Sequence, residues 1–204
     1  MSVPAPRRIG MFGGAFDPPH RAHIALAQAA VSQLGLDCLH VFPTGHAWHK
    51  TRTLSPAEDR LAMVRAAFSG EPHITVDDRE MRRPGPTYTA DTLNELADEN
   101  PGAELFLVMG ADQASRLGGW HAWEEIVRIA IISIAGRPNS TSASEDFHAD
   151  RLPGARIRQI ALPAQDISAT DIRQRVAEDR GIDLLVPPVV AGYIDRHHLY
   201  RTNR

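Results

Sequence analysis

The chain has 204 residues, 43% of them apolar, which suits one domain of ordinary to large size and excludes wholesale disorder. A formal net charge of −3 and a pI of about 6.4 argue against a polyanion-binding surface. Nucleic acid is therefore not an expected partner, and any phosphate binding must come from a few placed residues.

A single cysteine, Cys38, rules out an internal disulfide and reads as a buried core residue. Residues 1–8 lack the apolar stretch of a signal peptide. The most apolar segment, 126–135, is interrupted by Arg128 and falls far short of the roughly 20 residues that span a bilayer. The expectation is a soluble, cytoplasmic protein with no membrane partner.

Short apolar runs then alternate with longer segments of helical period. Residues 9–12 read as a strand ending in Gly13-Gly14, and 20–34 as a helix with Ile24, Leu26, Ala27, Ala30, Val31 and Leu34 on its apolar side. A second strand over 38–42 closes at Pro43, and 45–54 is a polar loop with basic and imidazole groups. Ser55-Pro56-Ala57-Glu58 predicts a capping box opening a helix to about Phe68, stopped by Gly70.

A third strand is expected over 74–76, a helix over 89–97, and a turn at Pro101-Gly102. The uninterrupted apolar run 105–109 reads as a strand covered on both faces. A helix over 123–128, a strand over 129–135, a loop over 136–153 and a strand over 157–162 follow. Helices over 168–178 and 187–196 end the chain. This order predicts an α/β fold: a Rossmann-like, doubly wound parallel sheet with helices on both faces and a small C-terminal helical segment, about 165–204, in a single domain 1–204. Ligands then belong at the carboxyl ends of the strands, near the point where strand order reverses.

The first chemistry-bearing string is Gly13-Gly14-Ala15-Phe16-Asp17-Pro18-Pro19-His20-Arg21-Ala22-His23. The glycines let the backbone turn at a strand end and approach a ligand closely. His20 and His23 share one face at a helix start, where free N–H groups and the helix dipole favour an anion. Alone, two such glycines can mark no more than a turn. The histidine pair is poor zinc evidence without a third ligand. The string is neither a P-loop nor a dinucleotide fingerprint.

The second string is Ile167-Ser168-Ala169-Thr170-Asp171-Ile172-Arg173. Its hydroxyls, free amides and guanidinium suit a second anion clamp. The structural alternative is an ordinary helix cap at Ser168.

Together the two strings resemble the bacterial nicotinate-nucleotide adenylyltransferases, a branch of the nucleotidylyltransferases with a His-x-Gly-His-type motif. The resemblance runs from about Ile9 to Tyr200. Ala15 stands where that family usually has a hydroxyl residue, and Ala22 where it has glycine. The resemblance implies a nucleotidyltransferase domain that joins the adenylyl group of ATP to nicotinate mononucleotide in NAD biosynthesis, releasing pyrophosphate.

It implies His20, His23 and Arg173 as catalytic groups, with Arg173, Ser168 and Thr170 on the outer phosphates. Gly13, Gly14, Ala15 and Phe16 would line the ATP site, and Lys50 would add charge. Gly110 and Asp112 are similar to the family's ribose-holding Gly-x-Asp. His49, Thr87, Tyr88, Thr89 and Trp120 would serve the acceptor, Trp120 by stacking on the pyridine ring. His121 follows Trp120 where tyrosine is often found, and Ala47-Trp48 stand where two prolines are common. Magnesium would come with ATP, and the sequence offers no protein metal cage. A homo-oligomer is left open. The alternatives are a sister enzyme using nicotinamide mononucleotide or phosphopantetheine, and a non-catalytic nucleotide-binding domain.

Overall fold

The computed structural model describes residues 5–45, 54–136, 152–163 and 165–201. Six strands form one wholly parallel sheet: β1 (Arg8–Gly14), β2 (Cys38–Pro43), β3 (Ile74–Val76), β4 (Glu104–Gly110), β5 (Ala130–Gly136) and β6 (Ile157–Ala161). Their spatial order is β3-β2-β1-β4-β5-β6. The chain winds outward from β1 to β3, then returns to the other side of β1 and winds out again. The order therefore reverses between β1 and β4, which pair from Arg8↔Glu104 to Met11↔Leu107.

Alternation along each strand sends side chains to two separate cores. Ile9, Met11, Leu105, Leu107 and Met109 face one side, where Leu93 and Leu96 of α4 (Thr89–Glu99) and Ile126 of α6 (Trp123–Ile129) meet them. Phe12, Phe106 and Val108 face the other side. There α1 (Arg21–Leu34) supplies Leu26, Ala27 and Ala30, and α2 (Ala57–Ala67) supplies Met63 and Val64. The C-terminal helices α7 (Ala169–Ala177) and α8 (Pro188–Arg196) bury Ile172, Val190 and Ile194 in this same core. At the outer edge of β6, the Gln33 amide of α1 both donates to Ala161 O (2.9 Å) and accepts from Ala161 N–H (2.8 Å), which occupies an otherwise open strand edge.

Three short pieces have no counterpart in the sequence reading: α3 (Arg79–Arg82), α5 (Ala111–Ala114) and a 3-10 turn at Leu117–Gly119. The expected capping box at Ser55 and Glu58 is not formed. Pro56 occupies the cap position of α2, with no side-chain cap bond. The Ser55 backbone is engaged elsewhere, its N–H donating to Asp17 Oδ2 at 3.2 Å and its carbonyl accepting from Arg60 Nε at 3.1 Å. Cys38, expected in the core, is only partly buried.

Candidate active site

The crossover places the ends of β1 and β4 side by side at the carboxyl edge of the sheet, the position where an open α/β sheet binds ligands. Gly13 and Gly14 end β1. A side chain at Gly14 would touch the Phe16 ring at 3.0 Å, so the turn closes tightly there. Phe16 is buried with φ of 46°, in the left-handed region that costs a non-glycine residue energy. Its ring is held edge-on by Phe12, His23 and Phe68.

His20 caps α1 in extended conformation, and His23 sits one turn inside. Their rings stack 3.6 Å apart at 23°. The His20 backbone N–H donates to His23 Nδ1 at 3.1 Å. An Nδ1 that accepts cannot carry the proton of a neutral ring, so that proton lies on Nε2 as a donor. Burial lowers the His20 pKa from 6.5 to about 4, which keeps the ring neutral at physiological pH.

The second string arrives from 156 positions away: Arg173 Nη1 donates to the Asp17 carbonyl at 2.7 Å. The C-terminal guanidinium thus reaches the loop that leads into the histidine pair. Arg173 Nη2 also donates to Thr170 Oγ1 at 3.1 Å. Ser168 is the cap of α7, its Oγ accepting from Asp171 N–H at 3.1 Å. The plain cap role does not exclude a ligand role, because each hydroxyl here accepts with its oxygen and keeps an O–H proton to donate.

Gly110 caps α5, and the Asp112 carboxyl folds back over it, 2.9 Å from where a side chain at Gly110 would begin. Trp120 follows the 3-10 turn, partly buried against the α4/α6 core. Tyr88 caps α4, and its ring lies 4.1 Å from that of His121, which joins the 87–89 segment to the Trp120–His121 edge. Thr89 begins α4, and the Thr87 hydroxyl donates to the Glu80 carbonyl at 3.3 Å. His49 and Lys50 lie outside the described residues.

Several residues without a role in the sequence reading converge on this edge. Asp17 is 2% exposed, and its Oδ1 accepts from Tyr200 O–H at 2.7 Å. Arg60, also 2% exposed, donates to four main-chain carbonyls around the site. A signal for Arg60 did exist: it shares a helical stripe with Met63, Val64 and Ala67, where an apolar residue belongs. Among the described residues no cluster of three or more His, Cys, Asp or Glu could hold a metal ion, and no helix is long and apolar enough to cross a membrane.

Residues 11–175 match the family model described as Cytidylyltransferase-like. A protein of Albidiferax ferrireducens named "Probable nicotinate-nucleotide adenylyltransferase" is 53% identical over 96% of this chain and 99% of its own. The chain belongs to the nicotinate-nucleotide adenylyltransferase family. A second member, from Methylibium petroleiphilum, is 43% identical over 100% of this chain and 97% of its own. The fold of this family member is shared with solved structures. A Plasmodium falciparum nicotinic acid mononucleotide adenylyltransferase complexed with NaAD superposes with a TM-score of 0.76 at 20% identity, covering 95% of this chain and 97% of that one.

Proposed function

We infer that this chain transfers the adenylyl group of ATP to nicotinate mononucleotide, forming nicotinate adenine dinucleotide and pyrophosphate, as a cytoplasmic enzyme of NAD biosynthesis. The observation that carries the reading is the contact of Arg173 with Asp17, which brings a guanidinium to the loop that leads into the stacked His20/His23 pair.

A 5′-phosphate oxygen of the acceptor bonds to the α-phosphorus of ATP, and the bond from that phosphorus to the α–β bridging oxygen breaks, that oxygen and its electron pair leaving with pyrophosphate. The attacking phosphate is already an anion, so no general base is required. Positioning and charge stabilisation supply the rate. His23, with its proton on Nε2, donates to the α-phosphate as charge builds there, and neutral His20 stacks on it and holds its orientation. Arg173, Ser168 and Thr170 take the outer phosphates and the departing pyrophosphate, with Lys50 adding charge.

Gly13, Gly14, Ala15 and Phe16 line the nucleotide, while Gly110 and Asp112 hold its ribose. Trp120 stacks on the pyridine ring, with His49, Thr87, Tyr88 and Thr89 completing the acceptor side. Magnesium travels with ATP, held by phosphate oxygens and water.

Pyrophosphate release with ATP and each of three acceptors tests the reading. Nicotinate mononucleotide should turn over fastest. Equal or faster release with nicotinamide mononucleotide or phosphopantetheine moves the chain to a sister activity. ATP binding without release from any acceptor makes it a nucleotide-binding domain. His23→Ala should lower turnover by roughly 10²–10³-fold, the usual effect of removing one transition-state donor.

A further inference from the structure

Arg60 is a buried charge that the proposed chemistry does not use. Its Nη1 donates to Thr44 O at 2.7 Å and to Ala15 O at 3.1 Å. Its Nε reaches Ser55 O at 3.1 Å and its Nη2 reaches Gly45 O at 3.5 Å. These carbonyls come from three stretches of chain: the turn after β1, the end of the β2 exit, and the approach to α2. One planar group with five donors in a fixed fork can satisfy them together, whereas an ammonium offers three donors from a single point.

The same contacts bracket the residues that face the nucleotide. Ala15 immediately precedes Phe16, whose backbone sits in the left-handed region and whose ring centroid is 4.9 Å from that of His23. Ser55 passes the constraint to Asp17 through its N–H, 3.2 Å from Oδ2. Asp17 in turn offers its carbonyl to Arg173. Gly14 O accepts from Thr44 N–H at 2.8 Å, so the two strand ends are also tied directly. A strained segment keeps its shape only when its surroundings over-determine it. Arg60 holds the residue before Phe16 directly and the residue after it by way of Ser55.

We propose that Arg60 is a positioning residue for adenylyl transfer, fixing the turn after β1 so that His23 and Arg173 stand at their working separation. This rests on the adenylyl-transfer reading. Arg60→Lys keeps the charge but loses the fork, and Arg60→Gln keeps one short amide. Met63→Ala, on the same buried face of α2, controls for general loss of stability. Each variant is assayed well below its own Tm for kcat, for KM of both substrates, and for inhibition by adenosine, which lacks phosphates.

For Arg60→Lys, kcat should fall about 10- to 100-fold, since a misplacement of about 1 Å suffices for that. Adenosine inhibition should stay within about threefold, as uniform binding is retained. Met63→Ala should lower Tm with kcat close to the parent's. Arg60 variants with parental kcat and a lowered Tm overturn the proposal while leaving the reaction in place. So does failure of both Arg60 variants to fold where Met63→Ala folds, because Arg60 then serves the fold alone. A parent protein that releases no pyrophosphate overturns the adenylyl-transfer reading itself, and this proposal with it.

Discussion

His20 and Glu80 are buried ionisable groups whose burial acts on stability in opposite directions. His20 binds its proton more weakly when folded, at about 4 against 6.5. The unfolded chain gains that proton first, so stability falls as the pH drops from 6.5 toward 4. Glu80 is pushed up from 4.5 to about 7 by burial, a rise opposed by the Thr92 hydroxyl that donates to it at 2.9 Å. The folded protein keeps this proton after the unfolded chain has released it, so stability falls as the pH rises from 4.5 toward 7. Each shift corresponds to about 3 kcal/mol at its limit.

Glu80→Gln removes the second penalty and keeps an acceptor for Thr92. By calorimetry it should be about 2 kcal/mol more stable than the parent at pH 8, with the gain shrinking toward pH 4.5. A less stable variant at pH 8 contradicts this account. The burial of Glu80 was not legible in the sequence, and that of Arg60 showed only in its place on an apolar helical stripe. Glu80 stands in the charged run Arg79-Glu80-Met81-Arg82-Arg83, which reads as solvated surface. The carbonyls that Arg60 binds belong to every residue alike and carry no letter of their own. The meeting of the two strings was legible, because each has a fixed spacing, and Arg173 does reach the loop before the histidine pair.

At the scale of elements, all six strands were legible, since runs such as Leu105–Met109 are apolar enough to be covered on both faces. Helices of three or four residues were not, because one turn holds no period to detect. The Ser55 cap was misread for a tertiary reason: Asp17 and Arg60 engage the Ser55 backbone, and the helix starts one residue later than a cap at Ser55 would place it. The exit of β2 has a similar hidden constraint. A side chain on Gly45 would collide with the Glu80 carbonyl oxygen, a main-chain atom that cannot swing aside, so α3 or the loop must shift. Gly45→Ala should lose about 1–3 kcal/mol, the usual range for overpacking. In thermal unfolding that is a drop of several degrees for a chain of this size. Gly13→Ala has open space within 4 Å and should keep its Tm.

At the scale of the molecule, the C-terminal helices, expected as a small segment of the same domain carrying the second string, share the α1/α2 core. Tyr193 donates to Asp59 of α2 at 2.8 Å, and Tyr200 donates to Asp17 across 183 positions. Burial, with the Asp17 carboxyl beside it, raises the Tyr200 phenol above its ordinary range, so it stays a donor at physiological pH. Tyr200→Phe should cost about 1.5–3 kcal/mol, as for a hydrogen bond to a charged group, and be visible as a lowered denaturation midpoint. No sequence pattern announced that bond, because its partners are far apart and unremarkable alone. It does have a meaning for how the protein is born. A nascent chain emerges with both imidazoles long before the guanidinium of residue 173 and the phenol of residue 200 exist. A product cut short before residue 173 lacks the guanidinium that reaches the Asp17 carbonyl, and one cut short before residue 200 lacks the phenol that donates to the Asp17 carboxyl.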